Sequence, residues 1–103
     1  MTMSKTYSQM EIAARLETEL PGWTYAHDYI RRVYVTKKWG STLALANAIG
    51  WLAEAAQHHP DLLLTYGSLE LRLQTHDAGG VTEKDFALAK KIEEIASWRG
   101  EEQ

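Results

Sequence analysis

Three of the four histidines in the chain form a pattern that suits proton transfer. His58 and His59 are adjacent at the predicted end of a helix, and His76 follows a predicted strand. Side chains at helix and strand ends can converge on one cleft. Glu54 comes four residues before His58, where a shared helix face would let its carboxylate orient or charge-stabilise an imidazole. Because histidine gives and accepts protons near neutrality, the pattern indicates general acid–base chemistry.

A purely structural interpretation of these residues stays open at this point. Two histidines before Pro60 are also typical of a polar helix end, where a cationic imidazole complements the helix dipole. Asp85 taken alone reads as a helix cap, and Glu54 alone as a solvated helix residue. A metal site is the weaker proposal, because there is no HExxH motif. Neighbouring helical residues also point about 100° apart, so His58 and His59 make poor joint ligands.

Composition excludes several classes of protein. Net charge is −3 with a pI near 5.8, which argues against a nucleic-acid groove because phosphate binding needs a basic surface. The absence of cysteine excludes disulfides and thiolate metal sites. The first ten residues lack the apolar run of a secretory signal, and the longest apolar stretch, residues 42–56, is too short to span a bilayer. The sequence therefore predicts a cytoplasmic protein without a membrane or nucleic-acid partner.

The 103 residues are expected to form a single domain over residues 1–103. Periodicity and turn residues predict helix, two strands, helix, two strands, helix. The first helix opens with a capping box at Ser8 and Glu11, and the last opens at Thr82. The segments between them are strands 23–27 and 29–37, a helix 41–57, and strands 62–66 and 68–75 with a hairpin turn at Gly67-Ser68. Strands joined by short turns are antiparallel, so the predicted class is α+β, one sheet covered by three amphipathic helices.

The run Glu54-x3-His58-His59-Pro60-x5-Tyr66-x9-His76-x8-Asp85 resembles the signature of the pterin-4a-carbinolamine dehydratase family at every defined position. The surrounding residues 53–93 are similar to the family throughout. The resemblance implies a four-stranded antiparallel sheet with three helices on one face, in a homodimer or tetramer. It also implies dehydration of 4a-hydroxytetrahydropterin to quinonoid dihydropterin without metal or cofactor.

By this resemblance, six of the motif residues acquire an expected role. The family's catalytic and binding histidines correspond to His58, His59 and His76. Pro60 is expected to shape the histidine turn, Asp85 to hold the site from the last helix, and Glu54 to support the first histidine.

One segment departs from common members of the family. Residues 38–43 (KWGSTL) and Trp98 look more like a subgroup found with carboxysome genes, whose members resemble assembly factors (chaperones) for RuBisCO. An alternative function therefore follows from the same sequence, in which the partner is RuBisCO and not only a pterin. Four tryptophans would suit a contact surface, although core packing is the commoner use.

Overall fold

The computed structural model describes residues 5–99 and the side chains of residues 5–97. The elements are α1 (Gln9–Glu19), β1 (Thr24–Ala26), β2 (Tyr29–Val35), α2 (Trp39–Ala56), β3 (Asp61–Leu64), β4 (Ser68–Leu73) and α3 (Glu83–Arg99). A short 3₁₀ turn, His76–Ala78, lies between β4 and α3. The predicted α+β class and the order of the seven elements are confirmed.

The capping box predicted at the start of the first helix is present. The Ser8 hydroxyl accepts from the Glu11 amide at 3.1 Å, and the Glu11 carboxylate accepts from the Ser8 amide at 2.7 Å. The helix ends before Pro21-Gly22, where Gly22 takes φ = +97°. That angle is open to glycine at no steric cost, so the chain can turn sharply into β1.

The four strands form one antiparallel sheet in the order β1-β2-β4-β3. Alternation along β4 buries Leu69, Leu71 and Leu73 completely. Helix residues such as Ile12, Ile49, Phe86 and Ile92 are fully buried in the same core cluster. The opposite side of the sheet, the outer face, carries Arg31 on β2 and Arg72 on β4. Antiparallel sheets commonly bury one face in the core and leave the other face exposed to solvent.

The two hairpins have different turns. Between β1 and β2, His27 and Asp28 both take positive φ, 52° and 73°, which matches the two-residue turn whose twist suits a hairpin. The predicted hairpin of β3 and β4 is confirmed, but its turn lies one residue earlier than Gly67-Ser68. Ser68 already pairs with Val35 in the sheet, and the loop is residues 65–67.

Some element ends also differ from the sequence prediction. The second helix begins at Trp39 and its buried stripe is Thr42, Leu45, Ile49 and Ala53. The predicted helix 41–57 ends one residue earlier, at Ala56, which is exposed. The predicted strand 68–75 ends at Leu73, since Thr75 leaves the ladder to form a bridge with Gly80.

No helix among residues 5–99 is long and apolar enough to cross a membrane.

Candidate active site

His58 lies just after the abrupt end of α2. The residue after the helix, Gln57, takes the left-handed conformation (φ 53°, ψ 43°), and the His58 amide bonds back to the Ala53 carbonyl at 3.1 Å. Pro60 disfavours helical geometry at the residue before it, so the chain cannot resume the helix. The imidazole of His58 is largely covered, with 12% of the side chain exposed. Helix termination therefore turns this ring inward.

Asp85 holds that ring from α3. Its Oδ1 lies 2.6 Å from Nε2 of His58, and the Asp85 side chain is fully buried. Its Oδ2 accepts from the Thr75 hydroxyl at 2.9 Å and from the Thr82 amide at 2.8 Å. Asp85 thus caps α3 and also orients His58, so the two interpretations of this residue are compatible. A buried carboxylate with every oxygen engaged is a rigid support for an imidazole.

Glu54 supports a different histidine from the one expected. Its Oε1 lies 2.9 Å from Nε2 of His59, and both side chains are more than half exposed. The expected pairing with His58 is wrong because α2 ends at Ala56, so the four-residue helical spacing no longer applies at position 58. Glu54 therefore acts on the solvent side of the histidine pair, whereas Asp85 acts on the buried side.

His76 begins the 3₁₀ turn that follows β4 and is exposed. The neighbouring Thr75 is buried, and its amide bonds to the Gly80 carbonyl at 2.8 Å, which fixes the base of the turn. Within the part of the chain that the structure describes, no hydrogen bond uses the His76 imidazole. Its nitrogens are therefore available to a ligand.

The three histidines line one open hollow of about 260 Å³. The residues that complete this histidine hollow are Gln57, Gln74, Thr75, Asp77 and Lys84. Sequence reasoning missed these five. Strand parity is the one signal that places Gln74 on the same face as His76, whereas Lys84 reaches the hollow only through the packing of α3.

The site combines two imidazoles of opposite character. His58 is covered and anchored on Asp85, while His76 is exposed and unengaged among the described residues. If Nε2 of His58 carries the hydrogen that Asp85 accepts, its Nδ1 is left to accept or donate a further proton. A pair of positioned imidazoles at one hollow is an arrangement that suits acid–base chemistry.

The fold is a small α+β layer with three histidines at one hollow, and comparison with known proteins identifies the family. The family model described as pterin 4 alpha carbinolamine dehydratase matches residues 5–95. The chain belongs to this family. A protein of Aquifex aeolicus, provisionally named a pterin-4-alpha-carbinolamine dehydratase, is 44% identical over 90% of this chain and 93% of its own length.

Two solved structures show how far the likeness extends. A transcriptional coactivator/pterin dehydratase from Brucella melitensis has a TM-score of 0.82 at 28% identity, covering 89% of this chain and 99% of its own. A pterin dehydratase-like protein identified as a RuBisCO assembly factor in the alpha-carboxysome has a TM-score of 0.59 at 17% identity, covering 72% and 86%. At that identity the second comparison shows a common fold and nothing more.

Proposed function

We propose that this protein dehydrates a 4a-hydroxytetrahydropterin in the cytoplasm, and that His58, His59 and His76 carry the reaction. The observation on which this rests is that all three imidazoles line one accessible hollow, with His58 seated on the buried carboxylate of Asp85. Membership of the dehydratase family supports the same reaction.

The reaction needs two proton transfers and no electron acceptor. The hydroxyl on C4a leaves as water once it is protonated, and the proton on N5 departs as the C4a–N5 double bond forms. The products are water and quinonoid dihydropterin, so no net oxidation occurs. One imidazole that donates a proton and one that accepts a proton are sufficient, and each positioned group contributes ~10²–10⁴-fold.

We assign the acid and base roles to His58 and His76, with His59 as a hydrogen-bonding partner of the substrate. The contact with Asp85 fixes the orientation of His58, as a proton-transfer group requires. His76 faces the hollow from the end of β4 and makes no competing hydrogen bond within residues 5–99. His59 is exposed and tethered to Glu54, which suits a binding contact at the rim.

The test is a dehydration assay on His58→Asn and His76→Asn, measured separately above the uncatalysed rate. His27→Asn is the matched control, because His27 lies in the β1–β2 turn, outside the histidine hollow, and asparagine tolerates its positive φ. We expect a loss of ~10²-fold or more in each site variant and wild-type turnover in the control. Wild-type turnover in both site variants would contradict the proposal.

We also propose that the chain forms a homo-oligomer. The solvent side of α2 exposes Trp39 (43%), Leu43 (45%) and Trp51 (69%), a row of large apolar side chains over three turns. A row of this kind is more typical of a protein contact than of free surface. Sedimentation of Trp51→Glu should show smaller species than wild type. The control is Met10→Glu, an equally drastic change at an exposed position on α1.

Assembly of RuBisCO remains the second candidate function. It rests on the segment 38–43, which resembles the carboxysome-associated subgroup and whose Trp39 is half exposed. Trp98, the other tryptophan on which the resemblance to that subgroup rests, lies outside the described side chains. We favour the dehydratase because the likeness to named dehydratases reaches 44–46% identity. Co-expression with RuBisCO would support assembly if soluble holoenzyme rises while the His58→Asn variant works equally well.

A further inference from the structure

The position of His76 depends on its backbone, because no hydrogen bond among residues 5–99 uses its imidazole. Thr75 and Gly80 close the turn that carries it, with the Thr75 amide bonded to the Gly80 carbonyl at 2.8 Å. Within the turn, the Gly79 amide bonds to the carbonyls of Thr75 at 3.0 Å and His76 at 3.1 Å. We call residues 75–82 the histidine loop. The contacts that hold this loop therefore also place the His76 ring.

The histidine loop is held from the protein interior at both ends. The hydroxyl of the buried Thr75 donates to Asp85 Oδ2 at 2.9 Å, and the Thr82 amide donates to the same oxygen at 2.8 Å. Between these anchors lies the pair Gly79-Gly80, and glycine has more backbone freedom to lose on folding than any other residue. Gly79 uses that freedom, since its φ is +77°. The middle of the loop therefore depends on further contacts for its rigidity.

Those contacts come from Thr6 and Tyr7, the two residues before the cap of α1. The Tyr7 amide donates to the Val81 carbonyl at 2.9 Å. Thr6 lies so close to Gly80 that a β-carbon added at Gly80 would be 3.3 Å from Thr6 Cγ2. We call residues 6–7 the strap. The strap therefore contacts the histidine loop at Gly80 and Val81, beside the glycine pair.

The strap is itself anchored to α3 through the Tyr7 side chain. The Tyr7 hydroxyl donates to Glu83 Oε1 at 2.9 Å, and its ring lies edge-on to the buried Phe86 with the ring centres 5.8 Å apart. Arg15 of α1 donates to the same Glu83 oxygen at 2.6 Å, and its Cζ lies 4.1 Å from the centre of the Phe86 ring. Hydrogen bonds from Arg15 and then Tyr7 lower the pKa of Glu83, which keeps this anchor ionised. Tyr7 therefore joins the histidine loop to the packed helices.

We propose that Tyr7 is a positioning residue for His76, and that it acts by holding the histidine loop in the geometry that proton transfer requires. This rests on the proposed dehydratase function. A proton-transfer group must lie at a defined distance from the reacting atoms, and a misplacement of about 1 Å can cost ~10²-fold in rate. Tyr7 does not line the histidine hollow, so its effect on the reaction passes through the loop.

The experiment is a double-mutant cycle on kcat for dehydration, with Tyr7→Ala, His76→Asn and the combined variant. Tyr25→Ala is the matched control. It removes a second half-buried tyrosine whose hydroxyl donates to a carboxylate, that of Asp28 at 3.4 Å, and Tyr25 does not line the histidine hollow either. Tyr7→Phe is the conservative variant, since it keeps the ring and the backbone amide and loses only the hydroxyl. Urea unfolding verifies that every variant is folded under the assay conditions.

We expect Tyr7→Ala to lower kcat about tenfold, with a smaller change in KM. In the His76→Asn background the same substitution should change kcat by about twofold or less, because the group that Tyr7 positions is already absent. Tyr7→Phe should keep most of the turnover, and Tyr25→Ala should match wild type. A wild-type kcat in Tyr7→Ala, or an equal loss in both backgrounds, would overturn the positioning role.

Amide hydrogen exchange tests the strap without any assay of dehydration. In Tyr7→Ala the amides of Thr75 and Gly79, which close the turn, should exchange about tenfold faster than in wild type, as expected for local opening. The Ile49 amide in the core of α2 reports global opening and should change less. Equal acceleration at all three amides, or none, would overturn the strap. Failure of wild type to dehydrate the pterin would instead overturn the dehydratase function, and the exchange rates would still judge whether Tyr7 fixes the loop.

Discussion

Asp85 Oδ1 and His58 Nε2 lie 2.6 Å apart although 27 residues separate them in sequence. The carboxylate comes from the first turn of α3 and the imidazole from the end of α2. One contact therefore connects the packing of two helices with the orientation of the ring assigned to proton transfer. Asp85 thus combines a helix cap, a contact between two helices and a hydrogen bond to His58 in a single side chain.

Asp85→Asn should lower kcat about 10²-fold, since an amide no longer fixes the orientation and tautomer of His58. The variant also weakens the cap of α3, so stability needs its own control. Thr82→Ala removes a hydroxyl that accepts from the Lys84 amide at 3.2 Å and costs about 1 kcal/mol of unfolding free energy. Steady-state assays alongside urea unfolding separate the effects. Equal turnover in the two variants would show that Asp85 acts through stability alone.

Glu54→Gln should have a much smaller effect than Asp85→Asn. The Glu54–His59 pair is exposed, with 59% and 57% of the side chains accessible, and exposed pairs contribute ~1 kcal/mol at most. We expect KM to change by about fivefold or less, with kcat close to wild type. Measuring both constants tests the assignment, because a fall in kcat as large as that of Asp85→Asn would place Glu54 in the proton-transfer machinery.

Glu93→Ala should destabilise the fold without any direct effect on the site. Glu93 Oε2 accepts from Trp23 Nε1 at 2.8 Å, Arg32 Nε at 3.0 Å and Tyr34 Oη at 2.6 Å. Trp23 and Tyr34 are buried, so their donors would lose their partner at a cost of about 2–4 kcal/mol in total. Urea unfolding gives the loss. Glu94→Ala, at the exposed neighbouring position, should stay within about 0.5 kcal/mol of wild type.

Glu19 should contribute to an acid-induced loss of stability. Hydrogen bonds from Arg15 and then Lys90 lower its pKa to about 2, below the unfolded value near 4.5. A carboxyl whose pKa is lowered by folding stabilises the protein above the unfolded pKa, and this contribution disappears as pH falls from about 4.5 to 2. Because the pair lies at the surface, its contribution is ~1 kcal/mol or less.

Glu19→Gln should therefore flatten the acid side of the stability profile. The control is Glu17→Gln, an exposed carboxyl on the same helix that forms no ion pair within the described residues. Thermal unfolding from pH 7 to pH 2 measures both variants. A Glu19→Gln curve parallel to wild type throughout would contradict the assignment.

The order and type of the elements could be predicted because apolar periodicity records which face each segment buries. Leu69, Leu71 and Leu73 alternate in a strand, and Leu45 and Ile49 recur at helical spacing. The ends of elements were less predictable. The β3–β4 hairpin was predicted, but its turn lies before Ser68 because Ser68 pairs with Val35, a long-range contact that local turn propensity does not contain.

The candidate site was also predictable only in part. The residue types and spacing of His58, His59 and His76 are enough to indicate acid–base chemistry. Their meeting at one hollow depends on where α2 stops and where β4 turns, which are properties of the packed sheet. Helical spacing wrongly assigned Glu54 to His58, because the left-handed Gln57 reorients everything after it.

The sequence by itself determined the residue types, the faces that each helix and strand buries, and the family signature. All three depend on residue identity and spacing along short stretches of the chain. Only the tertiary structure decided which carboxylate serves which histidine and that Tyr7 contacts the loop that carries His76. Those relations join α2 to α3, and the segment before α1 to the loop after β4. Contacts between segments distant along the chain are set by packing and register, which no local pattern specifies.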